Sequence, residues 1–158
     1  MASEDRYTFS QVMSSLIELE SMIAKFYRAS AERSEPSGSK EIFLAFEKVN
    51  RQRIDSLDRV RRETVVEMSL EPIAGLGLGE HMLHVKRMIE GESLGDAQKA
   101  IALEGVMKDI YRQASRKLEY VSAEACELLN KFSMESSRRR DLLVAGNQGL
   151  KALGSPED

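Results

Sequence analysis

Residues 17–28 read Ile17-Glu18-Leu19-Glu20-Ser21-Met22-Ile23-Ala24-Lys25-Phe26-Tyr27-Arg28, and their pattern returns 84 residues later as Ile101-Ala102-Leu103-Glu104-Gly105-Val106-Met107-Lys108-Asp109-Ile110-Tyr111-Arg112. In both stretches a Leu-Glu step is followed seven residues on by Tyr-Arg. A glutamate and a tyrosine at that spacing lie two turns apart on one face of an α-helix. A second correspondence runs at an offset of 86: Phe43, Phe46, Arg53 and Leu57 pair with Leu129, Phe132, Arg139 and Leu143. The chain therefore reads as two related helix pairs.

The punctuation agrees. Of the three prolines, Pro36 and Pro72 divide the chain and Pro156 sits in its tail. The stretches between the breakers are rich in Ala, Leu, Glu, Lys, Arg and Met, all good helix formers. The first helix is expected over about 9–33, with Thr8 and Gln11 as a capping box and Val12, Leu16, Leu19, Ile23 and Phe26 as its buried stripe. A turn over Ser34–Ser39 leads to a second helix over about 40–68. Its stripe is Phe43, Phe46, Ile54, Leu57 and Val60, interrupted at Asn50 and Arg53. A crossover over 69–93 holds Gly75-Leu76-Gly77-Leu78-Gly79 and a short helix over Glu80–Ile89. The third helix, about 94–118, is expected to be capped by Ser93 with Asp96 as partner. A fourth runs over about 123–145, and a frayed tail covers 147–158. No strand is expected before the glycines, which argues against a phosphate loop and for a crossover. The fold class is all-α. One domain of four antiparallel helices with a long connection between the second and third has the ferritin-like connectivity among helix bundles.

The 158 residues are 42% hydrophobic and 31% charged, with a formal net charge of −3, which gives no support to nucleic-acid binding through a basic face. The single cysteine, Cys126, excludes an internal disulfide and a CxxC metal site. No apolar run is long enough for a spanning helix. The N-terminus Met1-Ala2-Ser3-Glu4-Asp5 is polar and acidic rather than a signal peptide, so a cytoplasmic protein without a membrane role is expected.

The two Glu-x6-Tyr stretches carry a family resemblance that covers about residues 10–145. Ile17 through Tyr27 resembles the first helix of the rubrerythrins, di-iron proteins of ferritin-like fold, and Ile101 through Tyr111 resembles their third. The resemblance implies that Glu20 and Glu104 stand where that family has iron ligands, with Tyr27 and Tyr111 flanking the centre. It also implies a homodimer and an oxidoreductase activity, either reduction of hydrogen peroxide or oxidation of ferrous iron. The second and fourth helices should each add a Glu-x-x-His.

Here the chain departs from the family. With Phe43 and Leu129 as anchors, those positions hold Asn50 and Arg53 on the second helix, and Ser136 and Arg139 on the fourth. Arginine is cationic and has no lone pair for a metal. An alternative register, Glu47-x-x-Asn50 and Glu135-x-x-Arg138, places a glutamate on every helix. It would suit a pair of iron or manganese ions held by oxygen ligands. The first register keeps Leu57 and Leu143 in matching places. The chain also lacks the cysteine-ligated, rubredoxin-like segment of full-length rubrerythrins.

Two arginines facing two inward glutamates balance their charge without metal, through charge-assisted forks. The competing arrangement has both arginines reaching solvent on long stems. The first arrangement implies a degenerate di-iron site, no cofactor, and a structural or protein-partner-binding role; the second register keeps the di-metal oxidoreductase open. His81 and His84 lie in the crossover, and two histidines alone make a weak metal site. Arg138-Arg139-Arg140 and Arg59–Arg62 read as a solvated face or an acidic-partner site. Cys126 and the eight methionines read as core filling.

Overall fold

The computed structural model describes residues 6–34 and 38–154. It is all-helical and bundle-like. A short strand β1 (Arg6–Tyr7) leads into α1 (Phe9–Arg33) and α2 (Gly38–Glu63), followed by a 3₁₀ turn (Glu67–Leu70), β2 (Ile73–Ala74), α3 (Leu78–Glu90), α4 (Asp96–Leu118) and α5 (Ala123–Gly154). The helix α1 packs along α2, and α4 along α5. Cross-contacts fix the directions. Tyr27 meets Glu104 while Glu20 meets Tyr111, and Asn50 meets Arg139 while Arg53 meets Glu135. Hence α1 is antiparallel to α4, and α2 to α5. The helix α3 lies across α1 and α4.

Local chemistry sets the first helix. The Thr8 hydroxyl accepts from the Gln11 N–H at 3.2 Å, and the Gln11 side chain accepts from the Thr8 N–H at 2.8 Å. Two donors that the helix start leaves unpaired are thereby satisfied. The expected stripe on α1, from Val12 to Phe26, is buried throughout. Each such side chain contributes about 1.5–3 kcal/mol on burial. On α2, Phe43, Phe46, Leu57 and Val60 are buried, whereas Ile54 is only half-buried. The interruption at Asn50 and Arg53 is not a break in the buried face, since both residues are themselves buried.

Several expected boundaries shift. The second helix starts at Gly38 and ends at Glu63 rather than Met68. Beyond it the chain turns through Thr64, Val65 and Val66 into the 3₁₀ segment; two β-branched valines in a row weaken a helix end. The centre of the expected turn, residues 35–37, lies outside the described residues. The third helix is not capped by Ser93. Gly95 is its N-cap, and the Gln98 side chain accepts from the Gly95 N–H at 3.4 Å. The fourth helix runs past 145 to Gly154 because no proline interrupts it before Pro156. The frayed tail is thus helical through 154, and residues 155–158 lie outside the described residues.

A strand does precede the glycine cluster. Ile73 and Ala74 pair antiparallel with Tyr7 and Arg6. The loop after it still lacks the form of a phosphate cradle. Leu76 and Leu78 turn into the core, and Glu80 brings negative charge into the first turn of α3. Gly75 and Gly77 have φ of 84° and 57°, a left-handed backbone that glycine adopts without the Cβ penalty. Among the described residues, no helix is long and apolar enough to cross a membrane.

Thr8→Ala removes the cap acceptor and should cost about 1 kcal/mol of stability, read as a lower urea midpoint with an unchanged m-value.

Candidate functional site

The four interior polar residues of the first register meet midway along the helices. Asn50 and Ser136 are fully buried, and Arg53 and Arg139 are 3% and 5% exposed. Glu20 on α1 and Glu104 on α4 are each 1% exposed. The helical phase explains this placement, because Asn50 and Arg53 continue the row of Phe43, Phe46 and Leu57, and Ser136 and Arg139 that of Leu129, Phe132 and Leu143. Once the rows face inward, these side chains have no other direction to take.

The contacts obey the repeat. The Tyr111 hydroxyl donates to Glu20 Oε2, and the Tyr27 hydroxyl donates to Glu104 Oε2. Arg53 Nη1 donates to Glu20 Oε2 at 3.3 Å, and Arg139 Nη1 donates to Glu104 Oε2 at 3.2 Å. Each guanidinium also stacks against aromatic rings of the other half. Arg53 lies 5.0 Å from the Phe132 centroid and 5.9 Å from that of Tyr111; Arg139 lies 4.6 Å from Phe46 and 5.9 Å from Tyr27. Such contacts attract a cation to the ring face, more strongly where water is excluded.

The symmetry breaks at the second partner of each arginine. Arg53 Nε and Nη2 donate to Glu135 Oε1 at 3.3 and 3.1 Å. Arg139 instead donates to Asn50 Oδ1 and to the Phe46 carbonyl oxygen, the latter at 3.2 Å. The sequence accounts for the difference. At the 86-residue offset, the counterpart of Glu135 is Val49, so Arg139 has no second carboxylate. The counterpart of Asn50 is Ser136, whose shorter side chain makes no bond to Arg53. Of the five buried polar atoms that make no hydrogen bond within the described residues, four lie at this centre: Glu20 Oε1, Glu104 Oε1, Asn50 Nδ2 and Ser136 Oγ, one on each of α1, α4, α2 and α5.

Electrostatics follows burial. Burial pushes the Glu20 carboxyl above its ordinary value and the neighbouring Glu104 charge adds to this, against the Arg53 charge and the Tyr111 hydrogen bond. Glu20 therefore favours the folded state most when protonated, and this contribution is lost as pH rises through its folded pKa. Burial alone would lower the Arg53 guanidinium; the charges of Glu20, Tyr111, Glu104 and Glu135 outweigh it and raise the group above its ordinary range. Tyr27 and Tyr111 are held well above the usual phenol value, first by burial and then by the adjoining carboxylates Glu104 and Glu20.

This donor set does not suit a metal pair. Each carboxylate that would hold a metal already accepts from a guanidinium and a phenol, and a divalent cation there would sit against two fixed positive charges. Among the described residues, no three His, Cys, Asp or Glu side chains gather as a metal-binding group. The alternative register is divided by the structure. Glu47 is half-buried and lies 3.6 Å from Arg28 and 3.5 Å from Arg51, whereas Glu135 joins the network through Arg53. Both therefore lie within ion pairs, and only Glu135 touches the centre.

The remaining candidates lie apart. His84 is exposed and His81 half-buried on α3. Cys126 is half-buried rather than core filling, with its Sγ 3.2 Å from Ser115 Oγ. Arg59 pairs with Glu63 and Glu124, and Arg61 and Arg62 pair with Asp58, so that stretch is a solvated face balanced by acids. Within Arg138–Arg140, the middle residue alone is buried. The role of Glu135 beside the first register was not read from the sequence. Its signal is the i, i+4 step to Arg139, which sets it one turn from the buried row.

No family model matches the chain, and no curated protein or solved structure matches it either.

Arg53→Leu should cost about 3–5 kcal/mol, because it leaves the Glu20 carboxylate buried without its cation. Glu20→Leu combined with Arg53→Leu should recover most of that loss, and urea unfolding of the cycle measures it. Arginines reaching solvent would leave both variants near wild type. The tyrosines set a second expectation. A phenol whose folded pKa is raised contributes stability that is complete below about pH 10 and is lost as pH rises. Two of the four tyrosines should therefore ionise only as the protein unfolds in alkali, a coupling that phenolate absorbance would show and Tyr27→Phe with Tyr111→Phe would remove.

Proposed function

We propose that this chain is a rubrerythrin-like, ferritin-fold four-helix bundle in which an ion-pair network stands in place of a di-iron centre. In this reading α1, α2, α4 and α5 are the bundle and α3 belongs to the long crossover. The protein is a non-catalytic structural or partner-binding module that works as a homodimer in the cytoplasm. One observation carries the reading: Arg53 and Arg139, at the positions the resemblance assigns to histidine, each donate to a glutamate at a position it assigns to an iron ligand. The guanidinium groups neutralise those glutamates from within the protein, as ferrous or ferric ions would otherwise do.

The test is elemental analysis of protein grown with excess iron and manganese, followed by aerobic titration with ferrous iron. The expected outcome is substoichiometric metal, no oxo-bridged absorption band, and no turnover of hydrogen peroxide with a surrogate donor. A pair of metal ions per chain at high occupancy would overturn the reading.

A further inference from the structure

Away from the centre, α1 and the C-terminal half of α3 line a groove of about 410 Å³. That size falls within the range of small-molecule sites, which are mostly apolar with a few placed polar groups. Met22, Phe26, Ala29 and Ile89 form its apolar wall. At the rim stand Lys25 and Lys86, both exposed, and neither forms an ion pair among the described residues. A third rim cation, Arg33, is held by Asp96 at 2.9 Å, and Glu90 is the lone acid of the lining. The mouth thus carries two unmatched lysines against one carboxylate, above an apolar wall.

We propose that this groove binds a single-chain amphiphile with an anionic head, specifically a fatty carboxylate. Its hydrocarbon would lie along Met22, Phe26, Ala29 and Ile89, and its carboxylate would sit between Lys25 and Lys86. Charge complementarity selects the head, since a cationic amphiphile would meet the same wall under two like charges. Burial of the chain supplies the driving force in proportion to the apolar area removed from water. The ammonium groups contribute mainly orientation, because exposed ion pairs add little net free energy. This inference does not rest on the reading of the bundle centre, and metal bound there would leave it untouched.

The probe is decanoate at monomeric concentration, titrated into the full chain by calorimetry and followed by amide and methyl chemical shifts. The expected result is one saturable site with shifts at Phe26, Ala29 and Ile89. Ala29→Phe, at a half-buried position on the groove wall, should abolish it. Lys25→Glu with Lys86→Glu should weaken it about tenfold, a loss of about 1.4 kcal/mol, while circular dichroism and thermal melting show each variant folded. Decyltrimethylammonium should fail to bind. Equal affinity for that cation, or an unchanged affinity in Ala29→Phe, would overturn the proposal. So would a response to phosphatidylglycerol vesicles without one to monomeric decanoate, which would assign the lysines to a membrane surface. Self-association that Ala29→Phe abolishes, with no response to decanoate, would give the groove to a second copy of the chain.

Discussion

The structure depends on two guanidinium–carboxylate contacts that sit where four helices face one another. Each joins helices within one half of the chain, Arg53 to Glu20 and Arg139 to Glu104. The phenols then tie the halves together, Tyr111 to Glu20 and Tyr27 to Glu104. Removing four charges from water costs several kcal/mol per ion before any contact is made. The attraction and the hydrogen bonds offset that cost only when every helix is in register, because a shift of one residue turns an inward side chain by about 100°. The network need not raise stability above that of an apolar core. What it does is penalise the alternatives, since a slipped helix leaves a carboxylate or a guanidinium buried alone.

That constraint explains the asymmetry between the halves. Both arginines need partners beyond one glutamate, as a guanidinium carries five donors. On one side Glu135 supplies them from a position that is partly open to water. On the other a carbonyl and an amide do so within the interior. The interior side is drier and neutral at its second contact, and the outer side is charged. Two halves that correspond residue for residue at Glu, Tyr and Arg have therefore settled the remaining donors differently, according to which short or branched residue the repeat happens to hold.

How much of this was readable from residues alone differs by level. The helices were legible because their apolar spacing is strong and their breakers are sharp; α1 in particular carries both a stripe and a capping box. The pairing of Glu20, Arg53, Glu104 and Arg139 was legible because the internal repeat supplies the phase of each helix. The end of α2 was not, because residues 64–68 hold no proline or glycine, and only the β-branching of Thr64, Val65 and Val66 argues against continuation. The β1–β2 pair was also hidden. Two residues are too few for a period of two to declare itself, and their pairing joins positions 66 and 68 residues apart.

The same comparison separates what the repeat determines from what it leaves free. Positions that must be shared by four helices are held by the network, and there the two halves match at Glu, Tyr and Arg. The surface of α3 has no counterpart in the repeat. It packs against α1 and α4, and the Lys99 Nζ of α4 donates to its Ile89 carbonyl oxygen at 2.8 Å. A groove arises there because an element added to a symmetric frame meets a helix shaped for other neighbours. The cations at its mouth are not compensated by that frame, whose charges are already matched at the centre. Recognition at the surface and neutralisation in the interior are thus separable properties of this chain, and change in one does not require change in the other.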